Sequence, residues 1–113
     1  MQRFVRLIIV VSAALLLLNA QIIFAGGDPA SAGAKTFTSK CASCHGKDGR
    51  GDTAMGKKLK LRDLTSADVQ KQSDQQLHTI TAKGKGKMLA YEKKLTEEQI
   101  HEVVAFIRQL AKK

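Results

Sequence analysis

A chain of 113 residues carrying a formal net charge of +9 has room for one small domain, and its basic balance suits acidic protein surfaces or anionic membranes. With one tyrosine, no tryptophan and no recognition motif, it excludes a nucleic-acid reader. Its two cysteines, Cys41 and Cys44, are too few for a four-thiolate zinc site.

The first 25 residues stand apart in composition. Arg3 and Arg6 precede a nearly unbroken apolar run from Leu7 to Leu18, and a second apolar patch ends at Ala25, just before Gly26-Gly27. This order predicts a signal peptide over residues 1–25, cleaved near Ala25, with Ala20 as a second cleavage position. The 19 residues from Leu7 to Ala25 would also span a bilayer, so an uncleaved membrane anchor is the alternative, with membrane contact through it. Either way, residues 26–113 are expected in the periplasm or another extracytoplasmic compartment. Arg3 and Arg6 are the only charges in the leader, so the remaining 88 residues keep a net +7. A domain that small buries a limited core and needs a staple.

After the glycine pair, Asp28 can cap a helix whose first position is Pro29, where no amide hydrogen is needed. Ala30, Gly33, Ala34, Phe37 and Cys41 then recur at helical spacing along one stripe. Glycine inside a helix costs about 1 kcal/mol relative to alanine. Gly33 therefore predicts a second helix crossing at close range.

Next comes Cys41-Ala42-Ser43-Cys44-His45. Two cysteines two residues apart, followed directly by histidine, form the attachment signature of haem c: both thiols bond to the porphyrin edge and the imidazole coordinates iron. One helical turn presents all three groups to the same side of a flat macrocycle. A zinc site would have to recruit two of His45, His78 and His101 at poor spacings. A thioredoxin-like redox dithiol would need strands alternating with helices, and none are legible. One covalently held haem also supplies the missing staple.

Residues Gly46 to Arg62 are rich in glycine and lysine and read as a loop wrapping the porphyrin, with Met55 and Leu59 as contacts. Thr65 with Asp68, and Ser73 with Gln76, have the spacing of capping boxes for two brief helices. Gly84 suits the exit from the second, and the loop Lys83 to Tyr91 follows, its apolar tip set in a basic approach. Tyr91 is expected to pack on the haem or donate a hydrogen bond. Thr96 and Gln99 cap the last helix, in which Ile100, Val103, Val104, Ile107 and Leu110 make the buried stripe with Phe106 at its margin. Its partner should be the Gly33 and Phe37 face of the first helix. The fold class is all-α: three to five short helices and loops around one haem.

Function turns on the second axial position. A methionine thioether favours the reduced state, a second histidine lowers the potential, and an open position admits small molecules. The candidates are Met88, Met55, His78, His101 and a deprotonated lysine. Met88 is preferred, because it lies far enough downstream for the chain to pass round the haem and return on the opposite side. Met55, ten residues after His45, is better read as a loop contact. His78 is read as exposed in its short helix, and His101 as a surface histidine or one supporting a ligand from behind.

In these features the chain resembles the small class I c-type cytochromes, particularly bacterial cytochrome c6-like and c5-like proteins. The resemblance runs from Pro29 to Leu110: Gly33 and Phe37 match the first helix, Cys41, Cys44 and His45 the haem segment, Met88 the distal ligand loop, and Val103 with Phe106 the last helix. It departs where many members have proline after the distal methionine, here Leu89, and in the loop after the haem histidine, here Lys57-Lys58-Leu59. The resemblance implies a cytochrome c-like fold over residues 26–113, haem c on Cys41 and Cys44, and His45 and Met88 on iron. It implies a monomeric one-electron carrier, not an enzyme, docking on redox proteins with acidic surfaces through lysines such as Lys57, Lys58, Lys60, Lys83, Lys85 and Lys87. A haem enzyme or a gas or redox sensor with a labile Met88 is the alternative.

Overall fold

The computed structural model describes residues 1–5 and 26–113. The leader expectation rests on Leu7 to Ala25 and lies outside the described residues, apart from a helical turn at residues 2–5. Among the described residues, no helix is long and apolar enough to cross a membrane.

Six helices follow residue 26: α1 (Pro29–Lys40), α2 (Ala42–His45), α3 (Ala54–Leu59), α4 (Ala67–Gln70), α5 (Asp74–Lys83) and α6 (Glu97–Leu110). The fold is all-α, as expected, with one helix more in this region than the three to five predicted. The addition is α3, inside the stretch read as loop. Thr53 starts it by accepting a hydrogen bond from the Gly56 amide at 2.8 Å, and Lys60 ends it in the left-handed conformation, φ 55°. Gly56 allows the tight packing: a Cβ there would lie 2.1 Å from the Gly51 carbonyl oxygen.

The helix caps predicted from sequence form with one exception. Asp28 Oδ1 accepts from the Ala30 amide at 3.1 Å, with Pro29 at the first position. Both predicted capping boxes form at Ser73/Gln76 and Thr96/Gln99. The Thr65/Asp68 box does not. The Thr65 hydroxyl donates instead to Asp63 Oδ1 at 2.6 Å, and α4 begins after Ser66 without a side-chain cap.

The frame is the crossing of α1 and α6. A Cβ on Gly33 would stand 1.9 Å from the Glu102 carbonyl oxygen, so only glycine permits this approach. Phe37 packs on Phe106 with ring centroids 5.2 Å apart. Phe37, Ile100 and Val103 are the largest fully buried side chains. Phe106, placed at the margin by the sequence, is buried too. Arg108 stitches the lower turns to this frame: its guanidinium donates to Asp74 Oδ1 at 2.9 Å, to the Gln70 carbonyl at 2.8 Å and to the Gln72 carbonyl.

Candidate haem site

Helix α1 ends at Lys40, and Cys41 caps it by donating its amide to the Phe37 carbonyl at 2.9 Å. The chain then makes the single turn of α2, which Gly46 closes at φ 76°. Two bonds tie that turn to the next segment: the Gly51 amide donates to the His45 carbonyl at 2.7 Å, and the Thr53 hydroxyl to the Cys44 carbonyl at 2.7 Å. One rigid corner thus holds Cys41, Cys44 and His45.

A cleft of about 180 Å³ opens beside that corner, lined by Cys41, Cys44, His45, Leu59, Leu61 and Met88, with Lys40, Lys87, Leu89 and Tyr91 at the same opening. A second, strongly apolar cavity of about 60 Å³ also touches Cys41, His45 and Met88, and is walled by Phe37, Leu64, Leu77, Ile80, Val103 and Ile107. All four predicted site residues therefore meet around one space. Met88 comes from the distal loop, which Gly84 lets fold back on itself. A Cβ there would lie 2.5 Å from the Met88 carbonyl oxygen. Tyr91 anchors the loop, its hydroxyl donating to the Lys40 carbonyl at 3.0 Å. Of the two roles expected of Tyr91, the hydrogen bond is formed, and its place on the cleft lining is compatible with the other.

The other candidates fall elsewhere. Met55 is exposed on α3 and lines neither cavity, whereas Leu59 borders the cleft as expected. His78, read as exposed, is only 8% exposed, because its side of α5 turns toward α6. His101 is on the surface. Sequence reasoning missed Leu61, Leu64, Leu77 and Ile80 as walls, and Lys40 at the opening. Only Lys40 carried a signal, its place directly before Cys41.

The site's electrostatics suit a neutral donor set. Burial pushes the Cys41 thiol up to about 11, with the neighbouring Cys44 adding to the shift. Desolvation lowers the His45 pKa, favouring the neutral imidazole that coordinates metal. The two cysteines are free, half-buried thiols. His45 Nδ1 is buried with no hydrogen-bond partner. A backbone carbonyl of the Lys57-Lys58-Leu59 segment would be the ordinary kind of acceptor for a ligating histidine. That segment is helical, and the Lys60 and Leu61 amides take up the Gly56 and Lys57 carbonyls at its end. Two thiols, a neutral imidazole and a thioether around an apolar cleft fit a haem held at its edge and from both faces.

Residues 28–107 match the family model described as cytochrome c oxidase, cbb3-type, subunit III. The chain belongs to the class I c-type cytochromes. Relatives of this cytochrome include the cytochrome c6 of Leptolyngbya boryana, 33% identical over 84 residues that cover 74% of this chain and 95% of the relative. The cytochrome c6-like protein of Nostoc sp. (strain PCC 7120) is 29% identical over 113 residues, covering 100% of this chain and 97% of the relative. Among solved structures, the c-type cytochrome KustC0563 superposes with a TM-score of 0.64 at 31% identity, covering 69% of this cytochrome and 95% of that chain. Membership in this family implies haem c with iron as the cofactor.

Proposed function

We propose that this cytochrome is an extracytoplasmic, monomeric one-electron carrier whose single haem c is joined to Cys41 and Cys44 and ligated by His45 and Met88. The carrying observation is that Cys41, His45 and Met88 border both cavities, from opposite ends of the chain's path around them. The bound haem supplies a ferric–ferrous couple. Cys41 and Cys44 would hold it covalently against loss after export, His45 and Met88 would ligate its iron, and Phe37, Leu64, Leu77, Val103 and Ile107 would shield it from water. With His45 and Met88 both ligating the iron, no coordination place would be left for a substrate, which favours a carrier over an enzyme.

Docking falls to the rim of the cleft. Lys40 and Lys87 stand at the opening beside the exposed Leu89. Among the lysines named from sequence, Lys57 pairs with Asp52 and Lys83 with Glu92, which leaves them less charge for a partner. Acidic redox proteins suit the lysines that remain. The haem-loaded protein should titrate reversibly as a one-electron couple and resist carbon monoxide in the ferrous state. Rapid carbon monoxide binding would overturn the filled-site reading in favour of a sensor or enzyme.

A further inference from the structure

Away from the haem cleft, three metal-binding side chains converge on the seam between α5 and α6. His78 from α5 and His101 from α6 bring their rings to 4.5 Å between centroids, tilted by 36°. Glu97, one turn before His101, completes the group, and one ligand atom from each residue lies within 4.8 Å of the others. His78 is more than nine-tenths buried, and its Nε2 is buried without a hydrogen-bond partner. Yet Glu97 Oε2 is 2.8 Å from that nitrogen. The carboxylate is therefore near Nε2 but out of line with any N–H it could receive. Two ligands on one ion stand in that relation: with metal–ligand distances of about 2.0–2.1 Å, neighbouring ligand atoms lie about 2.9–3.4 Å apart, neither aimed at the other. The nearby cation Lys83 is paired directly with Glu92, and Glu97 acts on it only as a more distant charge.

We propose that His78, Glu97 and His101 form a second metal site, taking a divalent first-row transition ion of the zinc type through two imidazoles and one carboxylate. Glu97 and His101 are exposed and give the ion its entry, while the remaining position is open to water. The ion would cross-link α5 to α6 and brace Leu77, Ile80 and Thr81, which the same helix lends to the haem pocket wall. The proposal is independent of the haem ligand assignment.

The test uses chelator-treated, haem-loaded protein, in which haem has consumed the two thiols, and titrates zinc calorimetrically. One zinc per chain should bind, and His101→Ala and Glu97→Gln should each weaken it roughly tenfold or more. Both substituted residues are exposed, so the haem absorption spectrum should stay unchanged, and zinc should raise the melting midpoint of the parent protein only. Failure of the parent protein to bind zinc below millimolar concentration, or binding by both variants as tight as the parent's, would overturn the site.

Discussion

Tyr91 links the distal loop to the haem segment by one hydroxyl. It donates to the Lys40 carbonyl, next to Cys41, while its amide donates to the Thr81 and Ala82 carbonyls at 3.1 Å. Tyr91→Phe should cost about 0.5–1.5 kcal/mol in denaturant unfolding. It should also release the Met88 thioether at lower denaturant than in the parent protein, read from the ferric absorption band. Asp63 acts at the same scale near the wall residue Leu64. It accepts from the Thr65 hydroxyl at 2.6 Å and the Thr65 amide at 2.8 Å, and these bonds hold its carboxyl below the ordinary 3.8. The folded pKa is thus below the unfolded one, so the stabilisation is complete above about pH 3.8 and is lost as pH falls through the folded value. Asp63→Asn should flatten the stability profile in that acid window only; an unchanged slope would contradict the assignment.

The crossing of α1 and α6 is the element on which the pocket's geometry depends. Gly33→Ala places a methyl group against the Glu102 carbonyl, where backbone rather than a flexible side chain must yield. A loss of about 1–3 kcal/mol is expected from thermal unfolding of the haem-loaded protein, since overpacking moves the helices apart. This crossing was legible because one glycine interrupted an otherwise helical stripe, and α6 was legible from its capping box and its apolar face. Helix α3 was not, because Gly56 weakens a six-residue helix that Thr53 and packing on the Gly51 carbonyl hold in place. At Thr65, a side chain with two possible partners took the nearer carboxylate of Asp63 over the cap, which spacing alone does not decide.

For the whole molecule, local chemistry and long-range assembly divide what sequence reveals. Cys41, Cys44 and His45 form one contiguous signature, and Met88 stood out as a soft donor in a polar loop, so the centre of the site was readable. Its walls were not, because Leu61 and Leu64 come from the connection after α3 and Leu77 and Ile80 from α5, two segments whose convergence no local period encodes. His78 was misread for a related reason: α6 covers it, and a contact across helices leaves no mark in the helix's own pattern. The net charge of +9 acts at this scale as well. Electron-transfer rate to an acidic partner should fall steeply with rising salt, and further when Lys87→Glu reverses charge at the cleft opening; a flat dependence would remove steering from the mechanism. The pairing of His45 with Met88 is tested most directly by the ferric absorption spectrum of Met88→Ala beside the parent protein and Met55→Ala. The iron–thioether band should be present in the parent protein and in Met55→Ala and absent in Met88→Ala, whereas its retention in Met88→Ala would contradict the assignment.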